Sequence, residues 1–496
     1  MLSLCRRLVP GVLLVPLLSG CFAQSGGGSP DSGGGARLRV TLAFPPTQNF
    51  SPYGQDGVTL ARLGVAEGLT RLDANGTAVP ALAESWHSER DGRSWLFTLR
   101  EATFQDGTEV TPAAVAASLN RAAQAKPVPA ALAGVTLTAQ AAEGWQVRVS
   151  TAEPDPVLPL RLSNPSLAVF SAKAYAGGRV NPIGTATGPF RLAKVSGTGG
   201  ATLERFDGYW GGRAHASGID ARFVPDGTAR ANAVRAGETD IAEAVPVAQA
   251  SSLDKGTARE TATPRLTALY LNTRSKVFGD PARRAAARAA IDTSALAEDV
   301  YEGHADPGDG LFGPALTWAA DRRVQPSGRA RPGDPGGAAI TLATYDNRPE
   351  LPEVAQVLQQ RLQRAGFKVN LVVRDYSRLE SDALAGKFDA VVAARNMMLD
   401  TGDPASVLAG DFTCDGGYNL ARLCDEKVDQ AVARAASAAG TDERRDAVMA
   451  AEAAVLGTDA VVPLVHQKII TGVGSAVRGA VLDPFERLLV GPGTRR

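Results

Sequence analysis

Four histidines, His87, His215, His304 and His466, stand singly along a chain of 496 residues, and no Cys-x-x-Cys accompanies them. A structural or catalytic metal site needs three or four such ligands at close spacing, so that chemistry finds no support. The other catalytic signatures are also absent: no His-Glu-x-x-His, no Gly-x-Ser-x-Gly, no phosphate-binding Gly-x-x-x-x-Gly-Lys-Ser/Thr. Gly472-Val473-Gly474 lacks a third glycine at dinucleotide-binding spacing, and Asp306 and Asp309 flank a Pro-Gly, which is loop chemistry. Cys414 and Cys424 have nine residues between them. They read as a disulfide in an oxidising compartment, with two buried thiols or a metal pair as alternatives. Arg395 follows the apolar run Ala390 to Ala394. A guanidinium at the carboxyl end of such a strand can clamp a carboxylate with two hydrogen bonds, or form a salt bridge to Asp400 or Asp403. Met397 and Met398 suit an adaptable apolar pocket or plain core packing.

These side chains need elements to position them. Leu38, Val40 and Leu42 alternate with Arg39 and Thr41, which predicts a half-buried opening strand. Trp95 to Leu99 reads as another strand and Asp106-Gly107 as a turn. Thr111-Pro112 opens an alanine-rich helix, and Asp280-Pro281 opens a second that runs to about Ile291. From Pro352, apolar Val354, Val357, Leu358 and Leu362 lie on one helical face that Gly366 ends, and Val369 to Val373 follow as a strand. Thr441 opens a helix that ends at Gly457, whereas Pro307 to Gly337 reads as a surface loop or a weakly ordered excursion. Strands and helices mixed without a fixed repeat place the chain in the α/β class.

Basic and acidic residues balance at 52 each, and no basic run marks a nucleic-acid partner. Arg6 and Arg7 precede an apolar stretch, Leu8 to Leu18, which is too short for the roughly 20 residues of a membrane-spanning helix. It reads as an export signal, 1–20. Leu18-Ser19-Gly20-Cys21 resembles the bacterial lipobox, with cleavage before Cys21 and a lipid on its thiol; an ordinary signal with a chance cysteine is the alternative. Residues 21–36 are rich in Gly and Ser and read as a flexible tether. From Arg37 onward about 460 residues remain, enough for two or three lobes of roughly 100–200 residues each.

Several segments in order resemble the peptide/nickel class of bacterial extracellular solute-binding proteins, family 5. Glu67-Gly68-Leu69-Thr70-Arg71-Leu72 is followed by Pro80 to Trp86, Asp91-Gly92, Trp95 to Arg100 and Phe104-Gln105-Asp106-Gly107. Gly188 to Leu192, Tyr209-Trp210-Gly211-Gly212, Val224-Pro225-Asp226 and Ala236 to Ile241 continue the pattern. Leu271-Asn272-Thr273, Ala290-Ile291-Asp292, Asp403-Pro404, Tyr418-Asn419, Cys424 and Asp429 complete it. The resemblance spans nearly all of 37–490.

It implies a periplasmic-binding-protein-like α/β fold (type II, cluster C), with two main lobes joined by a hinge and an extra inserted lobe. Lobe I comprises 37–72, 186–280 and 466–496, lobe II 73–185, and lobe III 281–465. It further implies capture of a peptide between lobes I and III, delivery to ABC permease subunits with their ATPases, a monomer, no cofactor and no catalysis. The expected location is the cell envelope, exported to its periplasmic side, with lipidated Cys21 as the membrane anchor. In the peptide-binding branch an aspartate of lobe III pairs with the ligand's α-ammonium. Asp400, three residues before Asp403-Pro404, occupies that position, although Met397 stands where the family often has tryptophan. Tyr53, Tyr418 and Asn419 are further candidate ligand contacts. The nickel-chelate branch commonly has arginine in a lobe II segment that here reads Ser163-Asn164-Pro165-Ser166-Leu167. Peptide therefore ranks first and metal chelate second, with a hydrolase on the same scaffold as a third class.

Overall fold

A computed structural model describes residues 35–89, 92–346, 348–398 and 401–496. The export signal, Cys21, nearly all of the tether, Asp91 and Asp400 lie outside the described residues. One sheet of eleven strands runs through the described chain. In spatial order it is Lys368–Arg374, Ala339–Tyr345, Ala390–Asn396, Ala258–Leu271, Val461–Val473, Ile241–Ala242, Leu38–Leu42, Gly218–Phe223, Gly200–Arg205 and Phe190–Ser196. Ala305–Pro307 pairs beside this path with Val461–Val473. The long strands Ala258–Leu271 and Val461–Val473 pair antiparallel at the centre, so the two halves of the sheet share them.

Buried apolar side chains sort into three large cores. Lobe I surrounds Leu38, Val40, Leu42, Phe50, Leu60 and Phe190. Lobe II surrounds Phe97, Leu99, Val115, Leu119, Val147 and Val149. The third core surrounds Leu266 to Leu271 and many residues between Val277 and Val465, and it takes in Phe485. Leu266 to Phe278 and Phe485, expected in lobe I, thus pack with the residues expected in lobe III, and the lobe names below follow these cores. Lobe II is a separate four-stranded antiparallel sheet, ordered Ala83–Ser88, Ser94–Leu99, Gln146–Thr151 and Leu137–Ala142. Helix Pro112–Ala123 belongs to it, and Thr111 Oγ1 caps the helix by accepting from Ala114 N at 3.2 Å. That hydroxyl satisfies one of the amides that a helix start leaves unpaired.

The local readings fare differently. The opening strand, the capped helix after Asp280 (Pro281–Ala289) and the helix Thr441–Gly457 appear where expected. The helix before Gly366 starts at Glu350, earlier than Pro352 suggested. Pro352 sits in its first turn, where a missing N–H breaks no intrahelical bond. The stretch 307–337 is the clearest correction. Up to Asp321 it is no loose excursion: Leu311, Phe312, Leu316 and Ala319 are buried in lobe III, around a short helix Thr317–Asp321. By contrast, 322–337 runs without helix or strand and is mostly exposed, as a surface loop. Its Pro/Gly content hid these apolar anchors.

The candidate ligand-binding cleft

In an open α/β sheet, ligands bind beyond the carboxyl ends of parallel strands. Leu38–Leu42 runs parallel to Ile241–Ala242 and to Gly218–Phe223 in lobe I. Ala339–Tyr345 runs parallel to Ala390–Asn396 and to Lys368–Arg374 in lobe III. The residues just past these ends are Ala43 and Phe44, Glu243, Arg348, and Asn396 with Met397. Phe44 is 65% exposed.

The central strands bring the two sets of ends together. Their pairing is regular from Ala258 to Ala262, breaks, and resumes at Leu266 opposite His466. Thr263, Pro264 and Arg265 therefore stand opposite Gln467 alone. Pro264 cannot donate to the ladder; Thr263 Oγ1 instead donates to Gln467 O at 2.7 Å, and Met397 N to Pro264 O at 2.9 Å. Such a bulge re-aims the side chain that follows it. Here that side chain is Arg265, which donates to Glu486 Oε1 at 3.0 Å.

Glu486 is the centre of a charged network. Its Oε1 also accepts from Asn396 Nδ2 at 3.3 Å, and its Oε2 stands 3.5 Å from Arg62 Nη2. Arg62 further donates to the Glu486 carbonyl at 2.6 Å and bonds the Glu243 carboxylate. The other Glu243 oxygen accepts from Ala43 N at 3.0 Å. Burial alone raises the Glu486 pKa, but Arg265, then Arg62 and Arg348, reverse this and hold the carboxyl below its ordinary range. The Glu486 side chain is only 10% exposed. Its backbone has φ +58°, left-handed for a residue with a side chain. The Asp483 carboxylate fixes that turn by accepting from the amides of Phe485, Arg487 and Leu488 at 2.8–2.9 Å.

A second group lines lobe III. Arg395 donates to both carboxylate oxygens of buried Asp411, at 2.9 and 3.2 Å, and lies 4.5 Å over the Tyr418 ring. Asp403, one of the two partners the sequence suggested for Arg395, instead pairs with Arg444 at 2.7 Å and caps helix Pro404–Phe412. Tyr418 Oη is 2.7 Å from Tyr376 Oη, and the Tyr376 ring meets Tyr345 edge-on at 4.9 Å. Burial raises all three phenols.

Of the residues singled out from sequence, the structure brings Arg395 and Tyr418 together. Met397 is 1% exposed within the lobe III core. Tyr53 packs against the lobe II core. The Asn419 amide is taken up by its own loop, donating to Thr413 O and Leu423 O and accepting from Leu423 N. Cys414 and Cys424, which bracket that loop, are joined with sulfurs 2.08 Å apart. No cluster of three metal-ligating side chains occurs among the described residues. Sequence reasoning missed Arg62, Glu243, Arg265, Arg348 and Glu486. Pro264 inside a strand pattern was the available signal, since proline in a central strand marks a bulge.

A sheet of two halves that share two long antiparallel central strands is the frame of a type II periplasmic-binding fold. NikA from Brucella suis, solved in complex with Fe(III)-EDTA, has the same fold: TM-score 0.78 at 22% identity, over 92% of this chain and 99% of that one. The model for "Bacterial extracellular solute-binding proteins, family 5 Middle" matches residues 77–419, and the chain belongs to that family. It is 28% identical over 450 residues to the glutathione-binding protein GsiB of Shigella dysenteriae, covering 84% of this chain and 86% of GsiB. It is also 24% identical over 371 residues to the nickel-binding protein NikA of Staphylococcus aureus, covering 72% and 74%. The protein is the exported solute-binding component of an ABC importer.

Proposed function

We propose that the solute is a short peptide, held between lobes I and III and passed unaltered to the membrane subunits. The balance of charge in the cleft carries this reading. Arg62, Arg265, Arg348 and Arg395 are matched there by Glu243, Glu486, Glu350 and Asp411. A site with both signs suits a zwitterion, which a peptide is, whereas a net-anionic chelate favours a surplus of cations. Arg348 is 31% exposed, and its nearest carboxylate oxygen, on Glu350, is 3.8 Å away. In this reading Arg348 takes the ligand carboxylate, Asp400 its ammonium, and Tyr418 and Phe44 its apolar side chains. Lipid on Cys21 tethers a monomer to the membrane, and the Cys414–Cys424 bond stays closed outside the cytoplasm.

Unfolding and refolding the protein strips carried-over ligand before a thermal-shift screen of peptides, amino acids, sugars, and nickel with and without histidine. A ligand at 100 times its Kd adds about 2.7 kcal/mol of stability. A shift with peptides that weakens about tenfold in Kd in Arg348→Ala or Asp400→Ala supports the proposal. A shift confined to nickel chelates replaces it with the second reading, which the nickel-binding relative favours. Hydrolysis of a bound peptide would overturn the assignment as a non-enzyme.

A further inference from the structure

Three consecutive residues near the C-terminus are gripped from different sides. Phe485 is buried in the lobe III core, beside Met398 and Leu316 at the Gly76 turn. Glu486 binds Arg62 of lobe I, and Arg265 and Asn396 on the lobe III side of the bulge. Arg487 donates to Ser163 Oγ at 2.8 Å and to Met398 O of lobe III at 3.3 Å. Immediately afterwards Leu489 and Val490 are buried in the lobe I core, and both of their amides donate to Arg62 O at 3.1 Å. A strap rooted in lobe I thus inserts its middle into lobe III. Its left-handed turn at Glu486, held by three amides on Asp483, aims the carboxylate across the boundary.

We propose that this strap is an interlobe latch. Glu486 holds lobes I and III together before ligand arrives and sets how often the cleft opens. Opening carries Asn396 and the strand end behind it away from a carboxylate that Arg62 ties to lobe I. The hydrogen bonds of a side chain only 10% exposed would then have to be exchanged for water. The latch acts on the empty protein and does not depend on which solute is bound.

The test is a distance measurement by electron spin resonance on the full chain in detergent, without ligand. One label sits at Ser196 in lobe I and one at Lys427 in lobe III, both exposed. Keto-bearing residues carry the labels, so the native cysteines stay untouched. The wild type should show mainly the short distance. Glu486→Gln should move most molecules to a longer one and speed ligand association about tenfold. Asn396→Ala, which keeps both ion pairs, should shift fewer molecules the same way, and it decides the matter if Glu486→Gln does not fold. Wild-type distances in every folded variant, or an empty wild type already at the long distance, would overturn the latch.

Discussion

Two glutamates sit at two lobe boundaries, and their partners differ in kind. At the junction of lobes I and II, Glu67 accepts from Tyr209 Oη at 2.8 Å and Trp210 Nε1 at 3.0 Å. Burial raises its pKa, and those two neutral donors only partly offset the rise. Arg100 lies 3.7 Å over the Trp210 ring, which closes that junction with stacked rather than paired charge. At the junction of lobes I and III, Glu486 is held by guanidinium groups and its pKa is lowered. Neutral donors on a drying carboxylate suit a boundary that never opens. Full charges regain hydration when they part, so they suit a boundary that does.

The comparison is most exposed to Glu486→Leu, which strips Arg265 of the carboxylate it binds. We expect a loss of about 3 kcal/mol, the lower end for breaking a buried pair. It should appear as a lower urea midpoint for probes in lobe III, and an unchanged midpoint would break the comparison. Acid sharpens it nearly as much. Burial, and next the nearby Arg323, depress the pKa of His466, on the central strand against Gly313 of lobe III, from 6.5 to about 4. The unfolded chain therefore takes up that proton first, and stability falls by about 3 kcal/mol as pH drops from 6.5 to 4. The Glu486 contribution disappears in turn as pH falls below the ordinary carboxylate range. Glu67 has the opposite sign: its junction is weakened as pH rises from 4.5 towards its raised pKa. Amide exchange at pH 7 and 4.5 should show lobe III loosening first in acid, and His466→Leu should flatten that response.

Tyr209→Phe should cost about 1.5 kcal/mol, the contribution of one hydrogen bond to a charged group. Lobes I and II should still unfold together, because Trp210 remains; separate transitions in calorimetry would show that this junction is weaker than argued. The smallest effect belongs to Thr111→Ala, about 1 kcal/mol for a lost helix cap, confined to exchange in lobe II.

Lobe II was the most legible part of the sequence. Its Asp-Gly turn, its Thr-Pro helix start and its strand from Trp95 to Leu99 all act between residues close along the chain. The cleft was legible only in part. Arg395 at the end of an apolar strand and Tyr418 beside it are real neighbours, yet Asp411 as the arginine's partner lies 16 residues further on. Arg62 and Glu486 are 424 residues apart. No periodicity links two charges at that distance, and only the folded central strands bring them together. Even there the chain left one clue, the Thr263-Pro264 step in an otherwise unbroken strand pattern.

That step also gives the molecule a mechanical direction. Both long central strands pass unbroken from one half of the sheet to the other, with their ladder interrupted where Arg265 emerges. Paired strands resist stretching and sliding but yield to twist, so they behave as a torsion bar softened at two register breaks, Ala262/Leu266 and Thr267/Ala268. Rotation of the halves about that bar works against the strap, whose Phe485 is seated in the lobe III core. The bar's compliance is set by a few backbone hydrogen bonds of the central strands and not by the identity of the ligand-facing side chains, so those can diverge widely while the same movement is kept.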